Sequence, residues 1–240
     1  MSISAEQFWD TQYDDRSPEE LPPSIQRSVE EAMVFFGNMR GKRVLDIGCG
    51  NGATTLSLAQ AGAEVTGIDT SSVAVDKLNR YVAVHRIANV SAMCTSAMAL
   101  EHLGEFDFVY GSLILHHIEP FSEFCSVLRN ALKPGGRAFF FENSATSQLL
   151  IWFREHVVGR LWVPRCGDGI EFPLTPAEVD MLRKQFSVDV RIPEMVFFQL
   201  VSIYLLRRRL TSMTKAVDDL MFRWNIGKKY SYRQYLLING

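Results

Sequence analysis

The sequence predicts an α/β fold: a doubly wound, mainly parallel seven-stranded sheet with helices on both faces and helical insertions after strands five and six. Two observations carry that expectation. Between about residues 43 and 143, short apolar runs alternate with amphipathic segments, the rhythm of strand–helix–strand units joined by right-handed crossovers. The turn Gly48-Cys49-Gly50-Asn51-Gly52 separates the first run from the first helix, at the edge where such sheets open their ligand crevice. With 240 residues, 47% of them hydrophobic and 22% charged, the chain can bury a substantial core.

The elements follow in order. Ser4 and Gln7 make a capping-box pattern for a helix carrying Phe8, Trp9 and Tyr13. A loop rich in acids and proline leads to a helix over 24–38, with Ile25, Val29, Ala32, Met33 and Phe36 at helical spacing. Strands are expected over 44–47, 64–68, 89–94, 106–110 and 137–141, with helices over 53–60, 72–85 and 121–132 between them. Lys133-Pro134-Gly135-Gly136 reads as the turn into the fifth strand. Beyond it, a helix is expected over 147–161. Thr175-Pro176-Ala177-Glu178 then joins a capping box to a proline at the first helical position. The helix it starts should reach 186, before a strand over 188–192, one long amphipathic helix over 197–224 and a last strand over 232–238. One domain over 1–240 is expected: a helical lid at 1–39, a ligand-binding core at 40–143, and a substrate-side cap at 144–240 holding the last two strands.

Composition narrows the function classes. Residues 1–10 have neither the basic nor the apolar run of a leader, and the apolar stretch 196–206 is interrupted by Gln199 and Ser202, short of the ~20 residues that span a bilayer. Cys49, Cys94, Cys125 and Cys166 form no CxxC pair, so no metal site is expected and a reducing cytoplasm suits the thiols. Residues 144–240 carry 14 Lys+Arg against 9 Asp+Glu, whereas 1–143 carry 11 against 18. That imbalance is too weak for a nucleic-acid partner but leaves room for an anionic substrate or a lipid surface.

The chemistry centres on the glycine turn. Glycines there let the backbone approach a ligand closely at the start of a helix. Gly48, Gly50 and Ala53 also fit a relaxed dinucleotide fingerprint. Two acids favour another ligand. Asp46, at the strand end, repels a pyrophosphate and suits the ammonium group of a methionine moiety. Asp69 ends the next strand, where a carboxylate accepts both hydroxyls of an adenosyl ribose. Thr70, Ser71 and Ser72 follow as polar neighbours and helix caps.

These residues resemble the class I (Rossmann-like) S-adenosylmethionine-dependent methyltransferases of small-molecule type, over about 40–143. Val44–Gly52 matches the glycine motif and Asp69 the second-strand acid. Phe106-Asp107-Phe108-Val109-Tyr110, followed by Leu115-His116-His117-Ile118, matches the fourth-strand motif; Leu132-Lys133-Pro134-Gly135-Gly136 matches the one before strand five. The resemblance implies S-adenosyl-L-methionine as cofactor, held by Gly48, Cys49, Gly50, Asn51, Asp69 and Thr70, with Gly111 and Ser112 at the end of strand four. After strand three the family often places Asp-Ala. Here Ser96-Ala97 stands instead, and a serine oxygen accepts the adenine amino hydrogen bond less strongly than a carboxylate, leaving more to Ile68 and Met98. Trp9 and Tyr13 resemble the helix that lids the cofactor in such enzymes.

Methyl transfer is an in-line displacement, so the protein mainly positions the nucleophile and excludes water. A hydroxyl acceptor also needs a base. His116 is the first candidate and His117 the second, both following strand four at the ligand edge. Glu142 and Asn143 are candidates to orient substrate, and Tyr110 shapes the floor. Trp152, Phe153, Trp162, Phe172, Phe197, Phe198, Tyr204, Phe222 and Trp224 supply a roof for an apolar acceptor. Arg207-Arg208-Arg209, after the apolar run, suits lipid headgroups or a phosphate-bearing acceptor. The expected reaction is methylation of a hydrophobic small molecule, oxygen first. The alternatives are a lipid methyltransferase at the membrane surface and a non-catalytic cofactor-binding partner.

Overall fold

The computed structural model describes residues 21–156, 172–204, 206 and 209–240. Trp9, Tyr13, Trp162, Cys166, Arg207 and Arg208 fall outside them. The core strands are β1 (Arg43–Ile47), β2 (Glu64–Asp69), β3 (Val90–Cys94), β4 (Phe106–Ser112), β5 (Leu132–Asn143), β6 (Ser187–Arg191) and β7 (Arg233–Asn239). They lie in the order β3-β2-β1-β4-β5-β7-β6. All neighbours are parallel except β7, which runs antiparallel to both β5 and β6. The order reverses between β1 and β4, the switch point where doubly wound sheets bind ligands.

Side-chain alternation sorts the core into two layers. On one face, α1 (Pro23–Phe36), α2 (Ala53–Gln60) and α3 (Ser72–His85) pack on Val44, Val65, Phe108, Phe139 and Tyr235. On the other, α4 (Phe121–Ala131) and α6 (Pro176–Arg183) pack on Leu45, Val109, Phe140 and Leu236. Helix α1, assigned with 1–39 to a lid, is docked on the sheet face instead. Its Phe36 stacks on Phe108 at 4.7 Å, and Ser28 Oγ meets the buried Tyr110 hydroxyl at 2.7 Å. Its apolar stripe of Val29, Ala32 and Phe36 needs a large flat partner, and the sheet supplies one.

Lys133-Pro134-Gly135-Gly136 is a bulge inside β5 rather than a turn ahead of it. Leu132 pairs with Phe106 while Arg137 pairs with Phe108, so the intervening residues loop out of register. The predicted capping box is present, with Thr175 Oγ1 accepting the Glu178 N–H and Glu178 Oε2 accepting the Thr175 N–H at 2.7 Å.

The insertions are α5 (Gln148–His156) after β5, and α7 (Phe198–Tyr204) with α8 (Thr211–Arg223) after β6. The single long helix expected over 197–224 is thus two helices. Leu210 is left-handed at φ 63°, and Ser202 Oγ binds the Arg209 carbonyl at 2.5 Å, closing the turn between them. From α8, the fully buried Asp218 accepts the Phe198 and Gln199 N–H groups, each at 2.9 Å, capping α7 from outside its own sequence. Periodicity alone does not register a break held by such a non-local cap.

Candidate active site

The turn after β1 is fixed by its own amides. Gly48 and Cys49 N–H donate to the Ile68 carbonyl at 2.9 and 3.0 Å, and Gly52 N–H to the Cys49 carbonyl at 2.9 Å. Gly50 N–H donates to Asp69 Oδ2, also at 2.9 Å. Each of these glycines has positive φ: 72°, 51° and 94° at Gly48, Gly50 and Gly52. A Cβ at Gly48 would come within 2.8 Å of Ile114, and one at Gly52 would collide with Leu78. So the glycines permit close packing as well as left-handed backbone.

Four of the five loop residues therefore spend their N–H groups inside the protein. A pyrophosphate needs those donors. A nucleoside carrying ribose hydroxyls and an ammonium group needs acceptors instead, and the carboxylate beside this turn is Asp69. Its Oδ2 accepts Gly50 N–H and its Oδ1 accepts Ser71 N–H, both at 2.9 Å. These two bonds fix the Asp69 carboxylate at the end of β2, beside the turn. Ser71, fully buried, caps α3 through the Ala74 N–H at 3.1 Å. Thr70 is exposed beside it.

Asp46 has another first task than the one expected. Only 1% exposed, it accepts Thr54 Oγ1 and Thr55 Oγ1 on Oδ2 at 2.6 and 2.7 Å. Burial pushes its carboxyl up to about 6, opposed by the two threonine hydroxyls and reinforced by the charge of Asp69. It thus pins the start of α2 beneath the turn instead of facing outward to a ligand. Thr54 and Thr55 were not singled out in the sequence, although paired hydroxyls one turn after a buried acid are a readable signal.

Other expected contacts divide. Cys49 packs its side chain down over Gly67, and burial raises its thiol well above the usual range, so only its backbone serves the turn. Asn51 is 8% exposed within the turn. Ser96 Oγ already accepts the Met98 N–H at 3.1 Å but retains a second lone pair, and Ala97 and Met98 rest on the core beside it. Ile68 is 1% exposed, a floor rather than a ligand surface. Gly111 is a packing position: a Cβ there would meet Phe140 at 2.7 Å and Ile114 at 2.8 Å. Ser112 Oγ is buried with no hydrogen-bond partner among the described residues. The Tyr110 hydroxyl lies near enough to interact with it, although its short bond goes to Ser28.

Beyond Ser112 the chain turns sharply. Leu113 is left-handed at φ 55°, held by its N–H on the Phe141 carbonyl at 2.7 Å. The strained residue aims the next two amides across to β5. There Glu142, fully buried, accepts Ile114 and Leu115 N–H on Oε1 at 2.8 and 2.7 Å. Its Oε2 lies 2.7 Å from His116 Nδ1, in a side-chain pair only 4% and 0% exposed. Glu142 is thereby a support for His116, not a substrate ligand. The His117 ring lies beside it, tilted by 38° with ring centroids 4.2 Å apart. Asn143 Oδ1 accepts Arg233 Nη1 at 2.7 Å. A carboxylate on Nδ1 fixes the tautomer with Nε2 as the basic nitrogen, the arrangement a general base needs.

Comparisons with known proteins place the chain among methyltransferases. The methyltransferase-domain family matches residues 44–136. The ubiquinone biosynthesis O-methyltransferase of Idiomarina loihiensis is 30% identical over 169 residues, 68% of this chain and 67% of that one. The protein of the same name from Aromatoleum aromaticum is 33% identical over 138 residues, 57% of each chain, so that alignment spans little more than half of the relative. Among solved structures, magnesium protoporphyrin IX methyltransferase from Synechocystis PCC 6803 with bound S-adenosylhomocysteine superposes with a TM-score of 0.61 at 21% identity, covering 96% of this chain and 92% of that one. Haemonchus contortus phosphoethanolamine N-methyltransferase 2 gives 0.65 at 21% identity, over 99% of this chain and 60% of that one. With a relative 30% identical over two thirds of this chain and a seven-stranded sheet whose order reverses between β1 and β4, the chain belongs to the class I methyltransferases, whose cofactor is S-adenosylmethionine.

Proposed function

We propose that this chain transfers the methyl group of S-adenosylmethionine to an oxygen of a hydrophobic small-molecule acceptor, with His116 as general base. The single observation carrying the reading is the 2.7 Å contact between His116 Nδ1 and the fully buried Glu142. When bound on the glycine turn, the cofactor supplies an electrophilic methyl at a sulfonium. Asp69 orients its ribose, and the Ser112 hydroxyl meets a polar atom near the end of β4. His116 takes the acceptor's hydroxyl proton on Nε2, and Glu142 stabilises the imidazolium that results. Phe153 and Tyr204, with ring centroids 6.2 Å apart, roof an apolar acceptor in this reading, whereas Trp152, Phe172 and Trp224, expected to share that task, are exposed. Residues 40–143 then form the cofactor core and 144–240 the cap of one catalytic domain. Free thiols at Cys49, Cys94 and Cys125 suit a reducing compartment.

An oxygen acceptor is also the chemistry in the printed name of the Idiomarina and Aromatoleum relatives. Incubating the chain with methyl-labelled cofactor and an alkyl catechol, then locating the label by NMR, tests the reading. A methyl ether is expected. Label on carbon or nitrogen overturns oxygen transfer, and tight cofactor binding with no labelled component in a lipid extract overturns catalysis.

A further inference from the structure

Helix α8 buries two polar residues and leaves a row of apolar ones exposed. Its buried residues are Thr214 and Asp218, the latter committed to the amides of α7. Leu210 (54% exposed), Met213 (57%), Val217 (38%), Leu220 (54%) and Trp224 (69%) recur at intervals of three and four, and so share one solvent-facing stripe. A surface helix in water normally shows the reverse order. Contiguous exposed apolar surface of this kind marks an interaction face.

Charge identifies the occupant. Arg209, Arg223 and Lys229 are exposed along the stripe and its continuation, with Lys228 half-buried among them. Among the described residues of that segment the one exposed carboxylate is Asp219, and it is paired with Lys215 at 2.6 Å. In a symmetric dimer through this face the cations would be brought together, against their mutual repulsion. Anionic headgroups neutralise them instead, and Trp224 and Tyr230 are the amphipathic rings that favour the boundary between headgroups and acyl chains. No described helix is long and apolar enough to cross a membrane, so contact would be in the interfacial plane.

We propose that the outer face of α8 seats the protein on an anionic lipid surface, its apolar stripe in the headgroup–acyl boundary and its cations on lipid phosphates. The proposal goes beyond the methyl-transfer reading and does not depend on it. The test is co-sedimentation of the full chain with phosphatidylcholine vesicles, with and without phosphatidylglycerol. Binding is expected with the anionic lipid and to fall as salt rises. The variant Met213→Gln/Leu220→Gln/Trp224→Gln should lose at least about tenfold in partitioning, and Arg209→Gln/Arg223→Gln/Lys229→Gln about fivefold per cation removed. Both variants should keep wild-type melting and S-adenosylhomocysteine affinity, because the exposed side chains support neither. Four results overturn the proposal: no binding to anionic vesicles, equal binding without phosphatidylglycerol, unchanged partitioning of the apolar variant, or a wild-type dimer in sedimentation velocity that the apolar variant abolishes.

Discussion

Replacing Asp46 with asparagine should stabilise the protein at neutral pH, although it removes a charge from the centre of the site. Burial moves the Asp46 carboxyl from its ordinary 3.8 to about 6. At about 1.36 kcal/mol per tenfold change in proton affinity, that burden amounts to about 3 kcal/mol. The folded state holds this proton more tightly than the unfolded chain does. The contribution is therefore fully favourable below pH 4 and is lost as pH rises through about 6, leaving an ionised, desolvated carboxylate above it. Asparagine keeps an oxygen for Thr54 and Thr55 and never ionises. Urea melts of both proteins at several pH values between 4 and 8 should coincide at the acid end and diverge through pH 6. Above that, Asp46→Asn should be ahead by about 1–3 kcal/mol. An advantage independent of pH, or a less stable variant at pH 8, would refute the reasoning.

Three further perturbations follow from the same geometry. Glu142→Gln turns an amide donor toward His116 Nδ1 and places the hydrogen on Nε2, so steady-state kinetics should show kcat down by roughly 10²–10⁴ with KM little changed; an unaltered kcat removes His116 as the base. Gly52→Ala forces a Cβ onto a residue at φ 94° and against Leu78; thermal melts should show a loss of about 1–3 kcal/mol, and a change under about 0.5 kcal/mol would contradict the packing. Asp218→Ala orphans the amides at the start of α7, and chemical denaturation should report about 2–4 kcal/mol lost. Retained stability there would mean that the α7–α8 turn does not rest on this cap.

Where local chemistry dictates structure, the sequence was sufficient. Helices α2 and α3 fall where a glycine turn and a serine cap begin them, and α6 begins at its capping box because both partners lie within one turn. The buried apolar strands of a parallel sheet are equally plain in their unbroken runs. Features set by contacts distant in sequence were not legible. Asp218 and the amides it caps are about twenty residues apart, and the partnership of Glu142 with His116 crosses from β5 to the loop after β4. Asp218 was not singled out at all, and Glu142 was expected to orient substrate, until the fold brought their donors together. Asp46 shows a subtler case: its place at the strand end was evident, but its orientation is decided by two hydroxyls on the next helix.

The central claim is that the turn 48–52 and Asp69 hold an adenosyl amino acid through acceptors, not a phosphate through amides. Calorimetric titration of the wild-type chain and Asp69→Ala with S-adenosylhomocysteine measures this directly. The account predicts clear binding to the wild type and a loss of about 1–3 kcal/mol in the variant. Equal affinity in the two proteins, or preference for a nicotinamide dinucleotide, would contradict it.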